Sequence, residues 1–193
     1  MSGPTLTTGE PATEAAQEAD LVARVIAGDR LAFTQLYDLY QDRVFRHVHY
    51  RVSQREDAKD LTQQVFLQSW RGLPKYRRTA SPFLAWLFTI AHNVIVDFYR
   101  RSKPVYYLEH EFREKRTGSD PEHEAEVRWE QERVRKAVLR LKPDQQQVIV
   151  LRFLENLDAG DVAAVLGKTE SNVRVIQHRA VQELRRILER EGR

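Results

Sequence analysis

The chain has 193 residues, 41% of them hydrophobic, enough for one or two packed cores. Its 31 Lys+Arg against 28 Asp+Glu leave a net charge of +3, too small to indicate a nucleic-acid partner by itself, so the local distribution of cations matters more. The absence of cysteine excludes disulfides, thiolate metal sites and thiol redox sensing, and no apolar run approaches the roughly 20 residues that span a bilayer. The first residues have neither the basic end nor the apolar core of a signal peptide, so a cytoplasmic chain with no membrane contact of its own is expected.

Residues 1–19 are rich in Thr, Pro, Gly, Ala and Glu and carry almost nothing large enough to bury, which predicts a disordered tail. From Asp20, Leu21, Val22, Val25 and Ile26 form one helical stripe, and Gly28-Asp29 interrupts it. Phe33, Leu36, Tyr37, Tyr40, Val44, Phe45 and Val48 form a second stripe. His47 and His49 diverge on a helix and cannot share a metal, so they are expected at the surface or half-buried.

Arg55 to Trp70 predicts a helix with Ala58, Leu61 and Val65 inward and Asp57, Asp60, Gln63, Gln64 and Leu67 on another side. Val65, Phe66, Leu67 and Trp70 are too close together for one core stripe. Either the domain buries this helix on several sides, or something outside the domain covers part of it.

Arg71 to Ser81 holds Gly72, Pro74, Lys75, Tyr76, Arg77 and Arg78 without an acid and reads as a basic loop. A long helix follows Pro82, with Phe83, Leu87, Ile90, Val94 and Phe98 as its stripe and Arg100, Arg101 and Lys103 at its end. Cations beside aromatic side chains suit single-stranded nucleic acid, whose phosphates they attract and whose bases can stack.

Residues 104–126 lose periodicity and read as a linker, with His110 and His123 in no recognised ligand spacing. Periodicity resumes at Val127, Trp129, Val134, Val138 and Leu141, and Pro143 opens a helix carrying Val148, Leu151 and Leu154. From Asp158 to Leu188 the pattern is a short helix, a tight turn at Gly167 and a longer basic helix capped by Thr169. Val173, Ile176, Ala180, Leu184 and Ile187 face inward, leaving Ser171, Asn172, Arg174, Val175 and His178 outward. In a helix-turn-helix those positions meet base edges in the major groove. No glycine-rich phosphate loop, nucleophile–base pairing or metal-ligand set is present, so neither enzyme activity, a cofactor nor a metal is expected.

Four stretches carry a resemblance: DAKDLTQQVFLQSW at 57–70, PFLAWLFTIAHN at 82–93, LKPDQQQVIVLRFLENLD at 141–158, and the DVAAVLGKTESNVRVIQHRA helix-turn-helix. In that order the chain resembles the extracytoplasmic function (ECF) sigma factors of the sigma-70 family, promoter-recognition subunits of bacterial RNA polymerase. The resemblance implies an all-α protein of two small helical domains, sigma-2-like (20–103) and sigma-4-like (127–193), joined by a flexible linker. It implies contact with the polymerase clamp through Asp57, Asp60, Leu61, Gln63, Gln64 and Phe66, and of the second domain with the polymerase flap. It implies minus-10 promoter binding through Lys75, Tyr76, Arg77, Arg78, Asn93, Arg100 and Arg101, where a base is flipped out of the duplex. It implies minus-35 binding through Ser171, Asn172, Arg174, Val175, His178 and Arg179. Many members are held inactive by an anti-sigma factor, a further partner that the resemblance allows. Gln64 stands where an acid is frequent, and Ile176 and Val181 where cations are. The rival reading is a free-standing dimeric helix-turn-helix regulator that uses residues 20–101 for dimerisation or sensing.

Overall fold

The computed structural model describes residues 11–76, 82–101 and 121–191, and these contain helices and turns but no strand. The N-terminal half comprises α1 (Pro11–Ile26), α2 (Arg30–His49), α3 (Arg55–Gly72) and α4 (Phe83–Arg101). The C-terminal half comprises α5 (Pro121–Leu139), α6 (Pro143–Ile149), α7 (Ala159–Leu166) and α8 (Glu170–Glu191). A 3-10 turn, Leu73–Lys75, follows α3, and a π-helical turn, Val150–Leu154, continues α6.

Helix α1 begins at Pro11, inside the stretch expected to be tail. Proline is favoured in a first turn, and Ala, Glu and Gln are strong helix formers, so this segment needs no apolar stripe once its far end is anchored. Glu18 helps to anchor it, accepting from Phe83 N at 3.2 Å and from the Tyr40 hydroxyl. Helix α5 likewise begins at Pro121, within the expected linker, and residues 102–120 lie outside the described residues.

The break between α1 and α2 has a local cause. Gly28 takes φ 100°, a left-handed conformation that a side chain disfavours. Asp29 then caps α2, accepting from Leu31 N at 2.9 Å and Ala32 N at 3.2 Å. Arg24 pairs with the same carboxylate at 2.7 Å and, with these amide bonds, holds its pKa below the usual carboxylate value.

Ala32, Leu36, Tyr40, Val44 and Val48 of α2 pack against α3 and α4. Of the stripe expected on α4, Phe83, Leu87 and Val94 are buried, while Ile90 and Phe98 are only partly so. Phe88, Ala91 and Ile95 are buried as well, because α7 lies along a second side of α4. One continuous core therefore contains both α2–α4 residues and Val148, Leu151, Leu157, Val162, Ala163, Val165 and Val173 of the C-terminal half. A smaller core joins Ala137, Val138, Leu141, Ile149, Val150, Ala180 and Ile187, with Tyr50 packed against it. Trp129, expected on the stripe of α5, is instead 62% exposed, with Arg133 over its ring.

His47 is fully buried, where surface or half-buried placement was expected. It packs on Phe88 with ring centroids 4.7 Å apart, and neither ring nitrogen has a hydrogen-bond partner. Burial, then the charges of Arg51 and His92, push its pKa well below the ordinary value. Burial likewise lowers His49 to about 4 and also lowers His92. These depressed values mean that the unfolded chain binds more protons than the fold once pH falls below the ordinary histidine value of about 6.5. Stability is thus full above that pH and declines below it. Leucine at position 47 fills a similar volume without unsatisfied nitrogens. His47→Leu is therefore expected to keep or raise stability at pH 7.5, by up to about 1 kcal/mol, and to flatten the decline between pH 7.5 and 5.5. Urea unfolding at the two pH values measures this; a destabilised variant with the wild-type slope would contradict it.

Candidate nucleic-acid interface

Local hydrogen bonds and backbone geometry define the helix-turn-helix. Asp158 Oδ1 accepts from Asp161 N at 2.7 Å and starts α7. Gly167 ends that helix at φ 60°, ψ 36°, its N–H satisfying carbonyls of the last turn. Thr169 Oγ1 accepts from Asn172 N at 3.3 Å as α8 begins. Arg152 ties the preceding turn to α8, donating to Gln177 Oε1 at 3.1 Å and to the Leu157 carbonyl. Lys168 in the turn pairs with Asp144 of α6 at 3.1 Å.

Helix α8 is thereby fixed with Val173 and Ala180 fully buried. Ser171, Asn172, Arg174, Val175, His178 and Arg179 are all exposed and share one face at helical spacing. Arg174 pairs with Glu170 at 3.3 Å, an exposed contact that a DNA phosphate or base edge can displace. Ile176 is half-buried against the core, and Val181 is exposed beside the cationic face.

In the N-terminal half, α3 separates its residues sharply. Ala58, Leu61, Thr62, Val65, Phe66 and Ser69 are buried. Asp60, Gln63, Gln64, Leu67 and Gln68 are exposed, Asp57 is half-buried, and together they form one outward stripe. Burial raises the Asp57 pKa, and the neighbouring Asp60 charge adds to the rise. Leu61 and Phe66, expected as polymerase contacts, are only 3% and 5% exposed. The Phe66 ring packs on Tyr37 at 4.6 Å, while Leu61 floors a cavity of about 220 Å³ shared with Gln64, Gln68, Val94, Asp97, Phe98 and Arg101. The domain itself therefore covers most of the apolar second half of α3. Leu67, 49% exposed, and Gln68 take the outward positions; Gln68 was missed because a lone glutamine carries no pattern of its own.

Among the residues expected at single-stranded DNA, Lys75, Asn93, Arg100 and Arg101 are exposed. Asp97 lies 3.0 Å from Arg100 and 3.9 Å from Arg101 and partly neutralises that end of α4. Tyr76, expected with them, is instead only 8% exposed, with its ring against Phe83 and Trp86 at 5.5 and 4.9 Å. It braces the start of α4, since an aromatic ring buried among aromatics gains more there than in solvent. Arg77 and Arg78 lie outside the described residues. No group of three or more His, Cys, Asp or Glu is placed to hold a metal ion among the described residues, and none of their helices is long and apolar enough to cross a membrane.

Residues 36–104 match Sigma-70 region 2, and residues 137–186 match Sigma-70, region 4. Among curated proteins, the ECF RNA polymerase sigma factor BldN of Streptomyces coelicolor is 36% identical over 185 residues, covering 94% of this chain and 69% of BldN. The chain belongs to the ECF sigma factors of the sigma-70 family. The solved structure of CnrH in complex with the cytosolic domain of CnrY is similar, with 25% identity, a TM-score of 0.70, and coverage of 90% of this chain and 97% of CnrH. RpoE of Bartonella quintana, solved in complex with the anti-sigma factor NepR, shares the fold at a TM-score of 0.65 and 22% identity, over 81% of this chain and 96% of RpoE.

This sigma factor binds core RNA polymerase and promoter DNA and directs transcription initiation. It is a regulator of transcription. The region 2 match falls on the residues that the dimeric-regulator reading assigned to dimerisation or sensing, which removes the basis for that reading. Because the Asp158 cap fixes the entry to α7, Asp158→Ala is expected to cost about 1 kcal/mol of stability. It should weaken minus-35 DNA binding while leaving contacts made by region 2 intact. Urea unfolding and holoenzyme binding to minus-35 and minus-10 probes check the two halves of this expectation.

Proposed function

We propose that the two halves divide the work of initiation between three outward surfaces. The stripe Asp57, Asp60, Gln63, Gln64, Leu67 and Gln68 on α3 docks on the polymerase clamp, with Leu61 and Phe66 holding its shape from beneath. Lys75, Asn93, Arg100 and Arg101, together with Arg77 and Arg78, engage the minus-10 element, and captured bases replace lost stacking with protein contacts. Ser171, Asn172, Arg174, Val175, His178 and Arg179 enter the major groove of the minus-35 element, while another side of region 4 meets the flap.

The observation that carries this reading is the outward face of α8. Five polar side chains and Val175 stand clear of the core at the start of a helix whose entry is fixed by caps on both helices. A helix fixed in this way can present its side chains to a groove without first ordering itself. The chain acts as a non-enzymatic cytoplasmic factor, and an anti-sigma factor is its natural antagonist, as NepR is a partner of RpoE in the structure noted above.

Transcription in vitro with sigma-free core polymerase over a library of promoter fragments tests the reading. The expected outcome is initiation from a small set of shared two-part sites. If core is unmoved while the chain alone shifts inverted-repeat DNA, the reading is wrong. Arg174→Ala should lose about 1–3 kcal/mol of discrimination at one base pair of the minus-35 element. Uniform weakening across all sequences would instead make Arg174 a phosphate contact.

A further inference from the structure

Helix α1 lies ahead of the residues that match Sigma-70 region 2, which begin at 36. It is nevertheless bound to the place where region 2 turns from α3 into α4. Leu21, Val22 and Val25 bury its inner face in the core shared with α2, α3 and α4, and the helix packs on α2 and on the Leu73–Lys75 turn. Glu18 stands one helical step before that apolar stripe, half-buried, and reaches further. Its Oε1 accepts from Phe83 N at 3.2 Å and its Oε2 accepts from the Tyr40 hydroxyl.

The first backbone amides of a helix have no carbonyl within that helix to bond, and Phe83 is the first residue of α4. Glu18 gives one of them an acceptor from 65 residues away. Around this bond the packing is close. The Phe83 ring sits among those of Tyr40, Tyr76 and Trp86, with centroids 5.9, 5.5 and 5.3 Å away, and Tyr76 meets Trp86 at 4.9 Å. On the far side, a Cβ added at Gly72 would lie 3.2 Å from the Trp86 ring, so the end of α3 already touches the cluster. The carboxylate and the rings thus join α1, α2, the end of α3, the turn and the start of α4. Packing of this kind transmits a displacement of one member to the others. Lys75 is exposed in that turn, and Asn93 is exposed further along α4.

We propose that Glu18 is a positioning residue for the minus-10 reader: through Phe83 and Tyr40 it holds the start of α4 and the Leu73–Lys75 turn in the relative placement from which Lys75 and Asn93 meet the opened strand. This rests on the assignment of Lys75 and Asn93 to the minus-10 element made above. Glu18 works by preorganisation. A reader fixed before the DNA arrives loses none of its binding energy to ordering itself.

Holoenzyme assembled from full-length variants and bacterial core polymerase tests this on a promoter with 2-aminopurine in the non-template strand of the minus-10 element, whose fluorescence rises when the base leaves the stack. Glu18→Ala removes both bonds, and Glu18→Asp keeps the charge on a side chain one methylene too short for them. Each is expected to lower the apparent association constant of the opened complex about ten-fold, the scale of one hydrogen bond to a charged group. Glu18→Gln keeps an oxygen for Phe83 N and an amide to donate to the Tyr40 hydroxyl, and should stay within about two-fold of the wild type. Affinities for core and for an isolated minus-35 duplex should be equal in all four chains, a pattern that a general loss of fold would not produce. Urea unfolding identifies any variant not folded at the temperature of measurement, and the Asp and Gln variants carry the test if Glu18→Ala is one. Opening by Glu18→Asp equal to that of the wild type overturns the proposal. So does a Glu18→Gln chain as impaired as Glu18→Asp, or a loss at the minus-35 duplex equal to that at the minus-10 element. The double variant Lys75→Ala/Asn93→Ala separates the proposal from its premise. If it opens the promoter as the wild type does, the minus-10 assignment falls and takes the positioning role with it. If it is impaired while Glu18→Asp is not, the positioning role alone falls.

Discussion

The burial of one carboxylate, Glu155, fixes how the two halves of this chain sit together. A charge removed from water is costly unless it is paired and hydrogen-bonded, and Glu155 is served by two guanidinium groups from the other half of the molecule. Such a pair adds little net stability compared with an apolar contact of equal volume. Its value is directional: the apolar core between α4 and α7 can tolerate sliding, whereas a carboxylate held between Arg43 and Arg46 accepts one register. Arg135 sets the same register from the opposite side through three carbonyls, of His49 at the end of α2 and of Val52 and Ser53 in the turn that follows. These polar contacts lie beside the apolar core that α4 and α7 share.

The same division between holding and presenting organises α3. Tyr37 and Phe33 of α2 take up Phe66 and Trp70, with ring centroids 4.6 and 4.8 Å apart. Once those rings are committed inward, helical spacing sends Asp60, Gln63, Gln64 and Leu67 outward as a row. A stripe with one half-exposed leucine among amides and carboxylates combines an apolar anchor with polar groups that fix orientation, without the exposed apolar area that promotes aggregation. Tyr76 and Glu18 do the equivalent for α4, the tyrosine packing against Phe83 and Trp86 and the glutamate accepting from the Phe83 amide.

Much of this was legible in the sequence because it is local. Asp158, Gly167 and Thr169 announce the helix-turn-helix through rules that operate over three or four residues, and the outward set on α8 follows from spacing alone. What could not be read depends on contacts distant along the chain. Leu61, Phe66 and Tyr76 matched motif positions, but whether an apolar side chain at such a position faces a partner or its own core is decided by α2 and α4. Helix α1 was read as starting too late because Pro11 to Ala19 has no apolar stripe, while one of its anchors, Glu18, bonds to residues 22 and 65 positions away. His47 has no signature for full burial without a hydrogen bond, since its cost is offset by packing on Phe88 that no local pattern encodes.

A factor that reads two short DNA elements faces an energetic difficulty that this architecture addresses. Each face is small, and a face able to bind its element tightly by itself would hold free chain on scattered chromosomal matches. Weak faces become selective only when one body holds both at the proper spacing, because the second contact then forms at high effective concentration. Arg174 is paired with Glu170 in an exposed contact of little net strength that a base or phosphate can displace. Asp97 lies likewise beside Arg100 and Arg101 at the end of α4. Selectivity therefore belongs to the assembly with polymerase, where both contacts are held on one body.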